Sequence, residues 1–130
     1  MKLLLDTHIW IRWLSSEQPL PEKLVRQIEE ADRLAVSAVS CWEVAYLAKK
    51  KRIELPLALA DWMTAALEGS GVEVINISSN IAVKAAGLPD VHRDPADRFI
   101  IATALESSFC LASFDEYFKQ YDCIKDVLMS

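Results

Sequence analysis

The chain has 130 residues, 52% of them apolar and 25% charged, which suits one domain (1–130) built on a single core. A formal net charge of −5 argues against a broad basic nucleic-acid surface. The three cysteines, Cys41, Cys110 and Cys123, are odd in number and not in CxxC spacing, so they read as reduced thiols of a cytoplasmic protein and argue against a disulfide framework or a zinc site.

The N-terminal MKLLLDTHIWIRWL is broken by Asp6 and Arg12 and lacks a small-residue cleavage site, so it is expected to be part of the fold rather than a signal segment. No stretch is long enough to span a membrane. KLLLD (2–6) is continuous rather than alternating and predicts a buried strand. Residues 22–31 carry Leu24, Val25 and Ile28 at helical spacing, and RLAVS (33–37) predicts a second strand. In 41–51, Cys41, Val44, Ala45 and Ala48 share one face of an amphipathic helix, and Ser40 with Glu43 matches a capping box at its start. A further helix is expected over 58–68, stopped by Gly69 and Gly71, followed by a strand, VEVINI (72–77). Ser78 or Ser79 caps a helix running to about Gly87.

The segment HRDPADRFIIATA (92–104) then sets two aspartates against an almost wholly apolar run. Asp94-Pro95 is a helix start, with Asp94 as N-cap and Pro95 at the first helical position. The helix is expected over about 95–107 and, being apolar nearly all round, should be buried. Asp97 falls in its first turn, where the helix dipole favours negative charge. CLASFD (110–115) predicts a fourth strand, a short helix follows near 116–121, and CIKDVL (123–128) is expected as a fifth, edge strand. Strands alternating with helices at this spacing predict an α/β fold with a mainly parallel sheet and helices on both faces.

In such sheets the site lies beyond the carboxyl ends of the strands. Asp6 and Asp115 end the first and fourth strands; Glu43 lies a helical turn after the second; Asp97 opens the helix before the fourth. Four carboxylates brought to one rim would repel one another, and a bound Mg²⁺ or Mn²⁺ is the usual compensation for hard oxygen donors of this kind. Each acid also has a structural reading: Asp94 and Asp115 as helix caps, Glu43 as the closing member of its capping box. Asp6, placed after three leucines, has the weakest such reading, because burial there is costly without a partner.

Thr7 and Ser113 are hydroxyls beside Asp6 and Asp115, suited to orienting carboxylates or to making turns. Arg93 and Arg98 flank the acidic pair as candidate phosphate contacts or as neutralising neighbours. Lys49, Lys50, Lys51 and Arg52 suit a helix C-terminus, with phosphate contact as a second reading. Trp10 and Trp13, three residues apart, suit packing rather than base stacking. His8 and His92 lack zinc-ligand spacing, there is no Ser-His-Asp order, and three glycines leave little room for a phosphate-binding loop.

Taken in order, LLLDTHIWIRWL, VSAVSCWEVAYLAKKKRIELP, LPDVHRDPADRFIIATA and LASFDEYFKQY resemble a PIN domain of the VapC toxin type over essentially the whole chain. The resemblance implies a three-layer α/β/α sandwich with a mainly parallel sheet of four to five strands. It places the metal-binding acids on Asp6, Glu43, Asp97 and Asp115 and leaves Asp94 as the cap. It implies a Mg²⁺- or Mn²⁺-dependent endoribonuclease acting on RNA, a small antitoxin partner whose basic tail enters the acidic cleft, and a homodimer. A catalytically silent binding module of the same fold is one alternative. A phospho-receiver domain is another, although it would need an aspartate where the third strand ends in Asn76-Ile77.

Overall fold

A computed structural model describes residues 1–15, 17–91 and 94–129. His92 and Arg93, and with them the expected phosphate contact at Arg93, lie outside the described residues.

The strands are β1 (Lys2–Leu5), β2 (Arg33–Ser37), β3 (Val72–Ile75), β4 (Cys110–Ala112) and β5 (Leu128–Met129). They form one sheet in the order β3-β2-β1-β4-β5, with every pairing parallel. The helices are α1 (Thr7–Trp13), α2 (Glu22–Glu30), α3 (Ala38–Lys49), α4 (Leu59–Thr64), α5 (Ser79–Gly87) and α6 (Pro95–Ser107). A π turn, Ala65–Gly69, extends α4, and two 3-10 turns, Glu116–Gln120 and Asp122–Ile124, lie between β4 and β5.

Side chains alternate across each strand, so the sheet feeds two cores. Leu3, Leu5, Leu34, Val36 and Ala112 face one, packed with Trp10, Leu24, Ile28 and Trp62 from α1, α2 and α4. Leu4, Ala35 and Leu111 face the other, against Ile100, Ile101 and Ala104 of α6 and against Phe118, Tyr121 and Ile124. Trp10 stands 5.2 Å from Trp62, ring centroid to centroid, and its indole N–H donates to Ala66 O, which bears out the packing reading of that residue. The layering is the expected α/β/α sandwich.

Several expected boundaries shift; β3 ends at Ile75 and β4 at Ala112, short of the expected 77 and 115. Residues 123–127 do not form a strand: Ile124 is buried in a 3-10 turn between exposed Cys123 and Lys125, and pairing begins only at Leu128. Ile124 and Val127, three residues apart, have the spacing of a turn rather than the alternation of a strand. Helix α3 begins earlier than 41: Ser37 is its N-cap, its hydroxyl accepting from Val39 N–H at 3.2 Å. Ser40 therefore lies inside the helix, and the capping box with Glu43 does not form.

The strand order also argues against the phospho-receiver reading. In that doubly wound order the third strand sits beside the first, whereas here β3 is an edge strand separated from β1 by β2. The chain leaves β1 toward β2 on one side and returns to β4 on the other. The switch point of the sheet is thus the crevice between the carboxyl ends of β1 and β4.

Candidate active site

Asp6 stands at that switch point. Its backbone N–H donates to Ala112 O at 3.0 Å, continuing the β1–β4 ladder by one residue. The side chain turns inward to cap α1, and Oδ1 accepts from Thr7 N–H at 2.8 Å. Oδ2 accepts from Ser113 Oγ at 2.8 Å, and Ser113 Oγ in turn accepts from Asp115 N–H at 3.1 Å. Asp6 is only 4% exposed, and burial raises its carboxyl above the ordinary range against the opposing pull of Ser113.

Thr7 links the second strand's helix to this centre. Its hydroxyl lies 2.8 Å from Ser40 Oγ and 2.6 Å from Glu43 Oε1. With one proton, Thr7 donates to the carboxylate and shares its remaining capacity with Ser40. Glu43 is thus held by a residue of α1, not by its own helix end. Its carboxyl is raised, first by burial and then by Asp6 and Asp94, with the Thr7 bond and nearby His8 acting the other way.

Asp94 is the N-cap of α6, accepting from Ala96 N–H at 3.0 Å, and Pro95 opens the helix as expected. Asp97, one turn in and half-buried, has its carboxyl pushed up to about 8: burial contributes most, followed by Asp6, Asp94, Glu43 and Asp115. Asp115 caps the 3-10 turn after β4, accepting from Tyr117 N–H at 2.9 Å.

The fold therefore brings Asp6, Glu43, Asp97 and Asp115 within electrostatic reach of one another, with Asp94 at the margin. Thr7 and Ser113 are the hydroxyls that orient two of the acids. Arg98 is not part of this group. Its guanidinium donates to the carbonyls of Ala85, Ala86, Leu88 and Pro89 at 2.8–3.3 Å, closing the C-terminus of α5, and lies 3.8 Å from Asp90. A side chain so engaged is not available to clamp a phosphate; the open carbonyls of α5 explain its placement.

Two features were not anticipated. Ser40, fully buried, supports Thr7; its i, i+3 relation to Glu43 is legible in the sequence but there suits a cap equally well. Arg12 donates to Gln18 O and Pro19 O, lies over the Phe114 ring at 5.5 Å, and with Asp6, His8, Ile9, Phe114 and Asp115 lines a cleft of about 240 Å³.

Whether these residues suit a divalent cation is decided by donor chemistry and by charge. The donors are carboxylate oxygens, the set that hard ions such as Mg²⁺ or Mn²⁺ take. Asp97, its carboxyl raised to about 8 by burial and then by its acidic neighbours, marks a place where a positive charge is favoured. Among the described residues no three His, Cys, Asp or Glu side chains are already gathered as a ligand set. Asp6 and Glu43 are held by the Ser113 and Thr7 hydroxyls, and Asp6 and Asp115 accept from backbone N–H groups.

The sequence pattern of the PIN domain family matches residues 3–123. The chain is 36% identical to Ribonuclease VapC22 of Mycobacterium tuberculosis over 120 residues, 92% of this chain and 91% of that protein. In fold it is similar to VapBC2 of Rickettsia felis bound to a promoter DNA fragment, with a TM-score of 0.71 at 17% identity over 99% of this chain and 98% of that one. It is likewise similar to DNA-bound VapBC of Salmonella typhimurium, with a TM-score of 0.70 at 20% identity over 99% and 97%. A toxin–antitoxin complex from Klebsiella pneumoniae gives a TM-score of 0.66 at 22% identity over 99% and 97%. By the extent of the family match and the identity to that relative, the chain belongs to the PIN-domain family.

Proposed function

We propose that this protein is the ribonuclease toxin of a toxin–antitoxin pair, hydrolysing RNA phosphodiester bonds at Asp6, Glu43, Asp97 and Asp115 with Mg²⁺ or Mn²⁺. The observation that carries this reading is the convergence of four acids from separate segments on the β1–β4 switch point: Asp6 and Asp115 joined through Ser113, Glu43 joined through Thr7, and Asp97 close enough to feel all three. When bound, the cation lets the acids ionise together, acidifies a water and screens the scissile phosphate.

The chain's own contributions follow from the hydrogen bonds. Asp6 is fixed in one rotamer by Ser113 and the Thr7 N–H, and so is a rigid anchor at the switch point. Glu43, raised above the usual carboxylate range and steadied by Thr7, is the group suited to take a proton from the attacking water. In-line attack of that water on phosphorus breaks the P–O3′ bond; the products are a 5′-phosphate and a 3′-hydroxyl, the leaving oxygen taking up a proton.

The relatives solved as VapBC complexes support an antitoxin partner, and the acidic cleft suits a basic segment of it as a charge-assisted pair. A second copy of the chain is expected to cover exposed aliphatic surface such as Val83, 73% exposed on α5, and neighbouring Ile77. No described helix is long and apolar enough to cross a membrane.

The test is incubation of the purified protein with a mixed RNA pool, with Mg²⁺ or Mn²⁺ and with EDTA, followed by end analysis. Metal-dependent fragments with 5′-phosphates support the reading. A folded protein that cuts nothing with either ion is the silent binding module.

A further inference from the structure

Helix α3 carries a surface that the acidic cluster does not use. Trp42 and Tyr46 are 58% and 38% exposed, a large area for aromatic rings in a chain whose other tryptophans are covered or half-covered. They stack on each other with centroids 5.2 Å apart and planes 18° apart. Lys50 continues the same i, i+4 stripe, its amine 5.7 Å from the Tyr46 ring centre. Beyond it, Lys49, Lys51 and Arg52 are all exposed, and no described carboxylate pairs with any of these four cations.

The turn that presents the cations has a conformational cost. Lys51 N–H bonds Ala48 O and Arg52 N–H bonds Leu47 O, a closed helix end that puts Lys51 in the left-handed region at φ 56°. Glycine is the unstrained choice there, yet the chain carries a lysine. The stripe starts beside Glu43, the next residue after Trp42 on the same helix. Because α3 leaves the carboxyl end of β2, the stripe runs from the rim of the acidic cluster down the flank of the molecule, about 12 Å from Trp42 to Lys50 at the helical rise.

From these observations we infer that the Trp42–Tyr46 face of α3 with Lys49–Arg52 is a binding track for single-stranded RNA, taking an unstacked base on the outer face of Trp42 and backbone phosphates on the lysines. This deepens the proposed ribonuclease reading and rests on it. Flat rings already in register extend a stack to one more π face, whatever the base, and cations spaced along the same line meet the backbone. The stripe contains no aliphatic side chain, and the exposed aliphatic residues Leu57, Leu59, Val74, Ile77 and Val83 all lie outside α3, which favours a nucleic acid over a protein here. In a chain of net charge −5, four cations that no described carboxylate pairs, beside an acidic cleft, also supply local attraction that the molecule as a whole lacks.

The experiment uses the full chain and 12-residue single-stranded RNAs, measuring KM and kcat, direct binding by anisotropy in EDTA, and mass in solution by light scattering. Trp42→Ala is expected to raise KM and weaken binding about 5- to 100-fold with kcat near wild type, and Trp42→Phe to restore most of the loss. An RNA with an abasic residue at the stacking position should make wild type and Trp42→Ala equal. Lys49→Ala with Lys50→Ala should flatten the salt dependence of binding by roughly 1.4 in log–log slope, for two lost phosphate contacts. Unchanged KM and binding in Trp42→Ala, while wild type cuts RNA, overturns the track. So does a loss of affinity that follows a change from dimer to monomer, which would give this face to a second copy, or unchanged RNA affinity with loss of a co-expressed basic partner. If wild type neither binds nor cuts any RNA, the ribonuclease reading itself fails.

Discussion

The two halves of the acidic cluster are held in opposite ways. On the β1–β4 side, Asp6 is buried and saturated: a backbone N–H and the Ser113 hydroxyl occupy its two oxygens, and Asp115 is tied to the same serine through its own N–H. On the α6 side, Asp97 is half-buried, and its surroundings are dominated by other acids, which with burial carry its carboxyl to about 8. One side is built for rigidity and the other is left electrostatically unfavourable. A site that must accept a cation has reason to keep one carboxyl in this state, because the ion then relieves a repulsion the fold has already incurred.

The largest expected effect separates function from structure on both sides. Asp6→Asn and Asp97→Asn should each lower RNA cleavage by roughly 10³-fold or more, about 4 kcal/mol of transition-state stabilisation, with the fold retained by circular dichroism. Measured turnover within tenfold of wild type in either variant would remove that residue from the metal set.

Next comes the saturated side alone. Ser113→Ala removes the donor to a 4%-exposed carboxylate and should cost about 1–3 kcal/mol in urea unfolding at pH 7. Combined with Asp6→Asn the penalty should shrink, since the buried charge is gone; strict additivity would mean that Ser113 acts through packing instead.

The strained side should behave in reverse. The Asp97 carboxyl has a folded-state pKa near 8, above its unfolded value, so the folded chain holds a proton that the unfolded chain releases. That contribution is fully present below the unfolded pKa and is lost as pH rises through about 8. In EDTA, wild type should therefore lose stability between pH 5 and pH 9, and Asp97→Asn should lose less. At pH 9 the variant should be the more stable by about 1–2 kcal/mol, below what the full shift implies because the side chain is partly solvated. Mg²⁺ at 100 times its dissociation constant should add about 2.7 kcal/mol to wild type and less to the variant. Melting curves at both pH values decide this; a variant less stable than wild type at pH 9 makes Asp97 a helix-start residue first.

The smallest effect is the sharpest control. Asp94→Asn keeps an N-cap side chain and should change stability by only a few tenths of a kcal/mol and activity by little. Equal loss of cleavage in Asp94→Asn and Asp97→Asn would erase the distinction between cap and site.

The sequence alone determined the features that local chemistry controls. Asp94-Pro95 and the apolar run behind it specify α6 to the residue, because cap, fixed proline φ and hydrophobic pattern agree within a few positions. Strand β2 follows RLAVS for the same reason, and the order of alternating strands and helices carries the parallel sheet and thereby the rim to which Asp6 and Asp115 must go. Tertiary structure decided what each polar side chain is for. Glu43 is open in the sequence to two readings, site acid or capping-box member; because α3 begins at Ser37, its partner is Thr7, 36 residues away. Arg98 beside the acidic pair suits a phosphate contact or a neutralising neighbour in the sequence, whereas the carbonyls ending α5 take its guanidinium. Ser113 and Asp6 meet across 107 residues, a pairing that no local propensity encodes. Helix and strand signals are short-range and additive along the chain, whereas a side chain's partner, burial and charge depend on which distant segments the fold brings beside it.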